Sequence, residues 1–332
     1  MEDLARLNLV GQSPVFLRCI DLIQRYAAFE ATVLIQGETG TGKELAARGI
    51  HYLGQRREFP FIPVNCGAIP DNLVENELFG HTRGAYTDAR EARAGVIADA
   101  EGGTLFLDEV ETLNPKAQVA FLRFLQDQHY RPLGGQHMLV ANVRVIAASN
   151  QNLSELVRRG QFRQDLLFRL NIMGLEMPSL RARRADVMAL ASHFLRRFSC
   201  QYGRPEKRLS RASLDLLTRY EWPGNVRELE NLMHREFLLA QRDEIEIDAS
   251  GLDPRHLGSG DGLLALNGAY CFRTAKAKAI AEFERTYLAQ LLAETHGNVS
   301  LAARRCGKER RSLGKLLKKY GIDRGRYGGN DA

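Results

Sequence analysis

The chain runs to 332 residues, room for two or three domains with a large core. At 44% hydrophobic and 26% charged residues it reads as soluble and globular, and no run of about 18 apolar residues offers a transmembrane helix. The start lacks the pattern of a secretory signal. The five cysteines (Cys19, Cys66, Cys200, Cys271, Cys306) have neither zinc-ligand nor redox-motif spacing, so the expectation is reduced thiols in a cytoplasmic protein. The formal charge of +6 sits at one end. Residues 269–332 hold 14 Lys and Arg against 6 Asp and Glu, a net +8, on a body of net −2. A basic tail with helical periodicity suggests an anionic partner, most simply nucleic acid.

In chain order, residues 1–30 carry an amphipathic pattern around Phe16, Ile20 and Ile23. Short apolar runs then alternate with helical patterns. Strands are predicted at 33–36, 61–64, 104–107, 143–147 and 172–176, and this alternation argues for an α/β layer fold with a parallel sheet. Residues 186–240 lose the strand pattern and read as all-helical, broken at Trp222, Pro223 and Gly224. Residues 241–268, rich in Gly, Asp and Ser, read as a linker. A long helix is predicted at 275–295, followed by two short helical segments.

The most informative stretch is Gly37, Glu38, Thr39, Gly40, Thr41, Gly42, Lys43 and Glu44, between the first strand and a helical pattern. A strand, a glycine-rich turn and a helix start make a phosphate-binding loop. Glycines let the backbone curl its N–H groups around an anion, and the helix N-terminus adds partial positive charge. Lys43 supplies a full charge for terminal phosphates. Glu44 stands where many such loops carry Ser or Thr for Mg²⁺.

A second motif, 102–109, is an apolar strand ending in Asp108 and Glu109. In an open parallel sheet that end lies at the ligand edge. Asp108 can hold Mg²⁺, and Glu109 can orient and polarise an attacking water, the two roles phosphoryl transfer needs besides charge stabilisation. Asn150 ends the next apolar strand. It either senses a terminal phosphate and aligns water, or simply terminates the strand in a turn.

At this point the residues resemble the AAA+ activators of sigma-54 RNA polymerase, the bacterial enhancer-binding proteins, from about Val10 to Ile322. The loop 37–44 is close to the family's Gly-Glu-Ser-Gly-Thr-Gly-Lys-Glu, which makes Glu44 normal here. Phe61 to Cys66 matches the strand whose Asn, here Asn65, restrains the catalytic Glu. Glu77 to His81 leads into the surface loop. Phe162 to Leu170 matches the segment with the arginine fingers, here Arg163 and Arg169. Trp222 to Leu229 matches the second sensor of the helical lid.

The resemblance implies an AAA+ P-loop ATPase using ATP and Mg²⁺. It has an α/β subdomain at 1–177, a helical lid at 178–245, a linker at 246–270 and a Fis-type helix-turn-helix at 271–325. It implies that Arg163 and Arg169 reach into the neighbouring subunit's nucleotide, and hence a ring of identical subunits, usually a hexamer. Either arginine in isolation reads as a surface ion pair. Arg227 is implied to contact nucleotide from the lid; its ordinary alternative is a helix-start salt bridge with Glu228 or Glu230.

The family's defining loop, Gly-Ala-Phe-Thr-Gly-Ala, presses on sigma-54. Here it is Gly84, Ala85, Tyr86, Thr87, Asp88 and Ala89. Tyr keeps the ring, but Asp88 enters positive φ less readily than Gly and adds negative charge. Two readings follow: an activator with a variant loop, which is preferred, or a DNA-binding regulator that keeps its ATPase but contacts sigma-54 weakly or not at all. A third class, a P-loop small-molecule kinase, does not account for the finger segment, the 84–89 loop and the basic tail together.

The tail itself resembles a Fis-type helix-turn-helix. Ala302 and Ala303 allow close helix packing and Gly307 the tight turn. The recognition helix would present Arg310, Arg311, Ser312 and Lys315 to DNA, with Lys318 and Lys319 on phosphates. Gly314 is unusual there. The 275–295 helix, with Ile280, Phe283, Tyr287, Leu288 and Leu291, supplies a dimer interface, core packing, or both. About ten residues precede the ATPase region, too few for a receiver domain. The expectation is therefore control by expression level, a trans-acting inhibitor or a partner protein.

Overall fold

The computed structural model describes residues 8–85, 91–247, 252, 284, 287–288, 291–295, 297–308 and 310–320. The chain divides into two compact units, Met1–Gly258 and Ser259–Ala332.

The first unit is built on a parallel sheet in the order β2-β3-β6-β1-β7. Its strands are β1 (Val33–Gln36), β2 (Phe61–Asn65), β3 (Thr104–Asp108), β6 (Arg144–Ser149) and β7 (Met173–Glu176). A separate hairpin pairs β4 (His129–Tyr130) with β5 (Leu139–Val140). β6 is buried along its whole length and β3 up to Leu107, as expected for central strands covered on both faces. The side-chain period of two divides them. Leu34, Leu105, Leu107, Val145 and Ala147 enter one apolar cluster; Val33, Ile35, Phe106, Ile146 and Ala148 enter another.

Helices α1 (Pro14–Ala27) and α2 (Lys43–Tyr52) close the second face, and α3 (Pro115–Asp127) and α4 (Gln164–Leu170) pack on the first. α1 starts cleanly: Ser13 Oγ accepts from Phe16 N at 3.4 Å, and Pro14 occupies the first helical position, where no N–H is needed. All five predicted strands are present, with β6 running two residues further than expected, to Ser149.

Residues 180–247 form a mostly helical layer around Trp222, which is fully buried with its Nε1 donating to Leu217 O at 2.9 Å. Its helices are α5 (Val187–Tyr202), α6 (Arg211–Arg219) and α7 (Asn225–Leu239), with the break at 222–224 between the last two. Two expectations are corrected here. The region is not wholly helical, because β8 (Arg208–Leu209) pairs in parallel with β9 (Glu244–Ile245). Two-residue strands are too short to show alternation. Nor is 241–268 a linker from its start: Ile245, Ile247 and Leu252 are buried in this core, three apolar residues diluted among Gly, Asp and Ser.

The second unit contains α8 (Val299–Arg305) and α9 (Arg310–Lys319). Leu288, Leu291 and Leu292 pack with Ala302, Ala303, Leu313 and Leu317. Ala302 and Ala303 are buried as expected, and Gly307 makes the turn at φ 65°. Of the predicted 275–295 helix, Ile280 and Phe283 lie outside the described residues. Leu288 and Leu291 are core, while Tyr287 is 42% exposed.

Candidate functional site

The loop 37–42 joins β1 to α2 at the C-terminal edge of the sheet. Gly37, Gly40 and Gly42 all take positive φ, at 152°, 78° and 100°. Gly40 has a second requirement, since a methyl group there would come closer than 3.0 Å to Gly224 O. Lys43 Nζ donates to Gly37 O at 2.8 Å and Glu38 O at 3.2 Å. Burial pushes its pKa down, opposed by the charges of Asp108, Glu111 and Glu109. Thr41 Oγ1 donates to Glu38 O at 2.8 Å. Glu44, in the first turn of α2, forks with Arg48, accepting at 2.7 Å from Nη2.

The strand register brings Asn65 of β2 level with Asp108 of β3. Asp108 Oδ1 accepts from Glu109 N at 3.0 Å. Glu109 sits in the left-handed region at φ 57°, ψ 45°, a strained backbone of the kind that clusters at functional sites. Asn65 Oδ1 accepts from Ala68 N at 3.1 Å, and no hydrogen bond joins it to Glu109. The neighbour of the Glu109 carboxylate is Gly67: a methyl group at 67 would come closer than 3.0 Å to Glu109 Oε2. Glu111 Oε1 accepts from Asn150 N at 3.2 Å, while its Oε2 is buried without a partner among the described residues. Burial, then the charges of Asp108, Glu111 and Glu109, push the Cys66 thiol up to about 12.

These elements enclose one cleft of about 350 Å³. It is lined by Thr39, Gly40, Gly42, Lys43 and Glu44 of the loop, by Asn65, Asp108, Glu109 and Asn150 of the sheet edge, and by Arg227 of α7. Gly37, Glu38 and Thr41 stand behind its wall. Arg227 makes no ion pair with Glu228 or Glu230. Glu228 accepts from Tyr220 Oη and Gly224 N, and Glu230 pairs with Arg197. The cleft therefore gathers one lysine, two arginines (Arg227 and, paired with Glu230, Arg197) and the carboxylates of Glu44, Asp108, Glu109 and Glu230, a donor set suited to a polyphosphate with a hard cation.

Arg163 and Arg169 are not brought to this cleft. Both are exposed on α4 or just before it. Arg163 forks onto Asp165, donating from Nε at 3.0 Å and Nη2 at 2.7 Å, and the pairing moves both pKa values further from neutrality. Arg169 has no partner among the described residues. Phe168 beside them is 69% exposed. Of the 84–89 loop, Gly84 takes φ 80° with open space around it. Tyr86, Thr87, Asp88 and Ala89 lie outside the described residues.

In the second unit Arg310, Arg311, Ser312, Lys315 and Lys318 are exposed on α9, opposite the buried Leu313 and Leu317. Lys319 instead lies 3.6 Å from Glu284 Oε2 and over the Tyr320 ring.

Sequence reasoning missed Gly67, Glu111 and the hinge arginine Arg181, which forks onto Glu38. Gly67 follows a strand and precedes no helix pattern, so nothing local marks it. Glu111 lies two residues beyond the Asp-Glu pair, and only the fold shows that it reaches Asn150.

Residues 9–176 match the family model described as the sigma-54 interaction domain, 181–259 the AAA+ ATPase lid domain, and 279–320 the bacterial regulatory protein, Fis family. The response regulator protein PilR of Pseudomonas aeruginosa is 42% identical over 316 residues, covering 95% of this chain and 70% of its own. Nitrogen fixation protein AnfA of Azotobacter vinelandii is 40% identical over 318 residues, and phenol regulator MopR of Acinetobacter guillouiae 40% over 324. This chain covers 95% and 96% of its own length in those matches but spans only 58% and 57% of theirs. The crystal structure of NtrX from Brucella abortus in complex with ATP superposes with a TM-score of 0.70 at 31% identity, covering 94% of this chain and 69% of that one.

Proposed function

The chain belongs to the family of AAA+ ATPases with a sigma-54 interaction domain and a Fis-type DNA-binding unit, and from that premise we propose that it binds upstream DNA and uses ATP hydrolysis to remodel sigma-54 RNA polymerase and open promoters. The observation that carries this reading is the cleft where Lys43, Asp108, Glu109, Asn150 and the lid's Arg227 converge. The ATP complex of NtrX supports ATP as the nucleotide.

In the cleft, the loop 37–44 would cradle the phosphates, with Lys43 on the terminal ones. Asp108 fits Mg²⁺, because one of its oxygens accepts from Glu109 N and leaves the other for a hard cation, and Lys43 balances the carboxylates around it. Bound there, Mg²⁺ supplies charge neutralisation to the phosphates. Glu109 would orient the attacking water against the terminal phosphate, and Asn150 would hold that phosphate's position. Arg227 would contact the nucleotide from the lid.

Arg197 in the chain's own cleft is held by Glu230. Arg169, exposed and unpaired among the described residues, would enter a neighbouring subunit's cleft, joined by Arg163 once it leaves Asp165. That arrangement makes activity depend on a ring, which we take to be hexameric. The 84–89 loop would carry the motion to sigma-54. The match to the sigma-54 interaction domain runs through these residues, so nothing favours a reading in which the chain no longer touches sigma-54. Control by a trans-acting protein in the cytoplasm fits the same scheme.

The test is Lys43→Ala. ATP hydrolysis and ATP-dependent opening on a reconstituted sigma-54 promoter should vanish while DNA binding survives. Opening that persists without hydrolysis would overturn the proposal.

A further inference from the structure

The tip of the phosphate-binding loop is held from behind by the lid. Val226 N donates to Gly40 O at 2.9 Å, which satisfies a first-turn N–H of α7 that has no partner within its own helix. Asn225 Nδ2 donates to Thr39 O at 3.0 Å and to Glu38 Oε2 at 3.1 Å. Asn225 Oδ1 accepts from Leu180 N at 2.8 Å, in the segment leading into the lid. One buried amide thus ties together loop, hinge and the start of α7. From the hinge, Arg181 forks onto the same carboxylate: Nη1 donates to Glu38 Oε2 at 2.8 Å and Nη2 to Oε1.

The contact is also tight in shape. A methyl group at Gly40 would stand 3.1 Å from Arg227 Cβ, besides meeting Gly224 O. Arg227 is two residues beyond Asn225 and lines the cleft; Glu38 and Asn225 do not. The two residues therefore touch Arg227's scaffold and not the space a nucleotide would fill.

We propose that Glu38 and Asn225 are positioning residues for Arg227. They reference the lid to the phosphate-binding loop itself, so that Arg227 enters the cleft in one register. The proposal rests on the ATP-hydrolysis reading above. Its physical basis is that charge-assisted, two-point hydrogen bonds fix direction as well as distance. A lid free to slide by an ångström would carry Arg227 off the phosphates.

The test is a double-mutant cycle in the full-length chain, read by the Kd for a fluorescent ATP analogue and by kcat/KM for ATP. Asn225 is buried and its loss risks the fold, but the Glu38 side chain is 42% exposed, so Glu38→Ala probes the contact without opening a core. Glu38→Ala and Arg227→Ala should each weaken binding about tenfold. The double variant should lose less than about twofold beyond the worse single one. Glu38→Gln, which keeps an acceptor oxygen, should recover part of the loss. Fully additive losses, or a Glu38→Ala variant that binds as the parent does, overturn the proposal. Lys43→Ala runs alongside: if it hydrolyses ATP normally, the nucleotide reading itself fails. If it is inactive while the losses add, only the positioning of Arg227 fails.

Discussion

Gly67 lies against the Glu109 carboxylate so closely that any β-carbon at residue 67 would displace Oε2. Gly67 is exposed, and its φ is outside the range that only glycine favours. The obstacle to a side chain is therefore the tip of one flexible carboxylate, not the backbone or a core. Gly67→Ala should fold normally, with a Tm within about 2 °C of the parent, because surface changes without a packing cost move stability little. Its kcat should fall at least about tenfold, since a carboxylate moved by about an ångström no longer aligns water. KM for ATP should stay within about twofold. A fall in kcat matched by a large fall in Tm would mean that Gly67 serves the fold rather than Glu109.

Much of the sheet and the cleft was legible in the chain. The phosphate-binding loop shows through glycine spacing, because its conformation is local. β3 shows through an unbroken apolar run, because a central parallel strand is buried on both faces. What was hidden depends on distant approach. Gly67 matters only because the fold brings Glu109 over it. Asn225 and Arg181 matter only because the lid folds onto Glu38. Ile247 and Leu252 sit among turn-forming residues, and only the lid core shows why they are buried. The Arg163–Asp165 fork follows from a two-residue spacing that has no meaning until the chain turns into α4.

His51 should make the first unit acid-sensitive. It is fully buried on α2, with Nδ1 2.9 Å from Thr104 Oγ1 and its ring against Tyr52 and Phe61. Burial, then the charge of Arg144, holds its pKa below the usual 6.5; the Phe59 backbone opposes this, and Arg48 and Arg56 add further repulsion. The folded state thus stays neutral where the unfolded chain takes up a proton. Stability is complete above about pH 6.5 and falls as pH drops below it, by at most about 1.4 kcal/mol per pH unit from this group. His51→Gln should flatten the stability curve below about pH 6.5. His193, whose pKa burial also lowers, contributes in the same direction. Denaturant melts that superimpose for parent and variant across that range would remove His51 as the cause.

Subunit mixing checks the shared cleft. Lys43→Ala removes the loop's charge but leaves Arg169; Arg169→Ala leaves an intact loop. Each alone should be inactive. At a one-to-one ratio in a randomly mixed ring, hydrolysis should return to roughly a quarter of the parent rate, since that share of interfaces pairs an intact loop with an intact finger. If the mixture stays inactive although the subunits co-assemble by size-exclusion chromatography, Arg169 acts within its own chain or not at all.

Lys318 and Lys319 are neighbours that should behave differently on DNA. Lys318 is exposed without a partner among the described residues. The Lys319 ammonium is already engaged by Glu284, whose carboxylate also accepts from Tyr320 Oη at 2.6 Å. Removing a lysine from one phosphate reduces the slope of log affinity against log salt by about 0.9. Lys318→Ala should show that reduction with little change in sequence preference, and Lys319→Ala a smaller one. Arg311→Ala should instead cost about 1–3 kcal/mol on the cognate site and relax its specificity. Fluorescence anisotropy titrations at several salt concentrations separate these outcomes, and equal slopes for the two lysine variants would place Lys319 on a phosphate after all.

Gly314 tests whether α9 sacrifices stability for access. It sits within the helix, is exposed, and has open space within 4 Å of any added methyl group. In water the methyl group meets nothing, so Gly314→Ala should stabilise the second unit by about 0.8 kcal/mol through the unfolded chain's lost freedom and better helix propensity. On DNA the same methyl group would stand on the face that carries Arg311 and Lys315. If the helix backbone approaches the groove there, affinity for the cognate site should fall although the unit is more stable. The two readouts therefore move in opposite directions, calorimetry up and DNA affinity down. A variant that gains both would show that Gly314 faces away from the DNA and that the recognition surface turns on Arg310 and Arg311 instead.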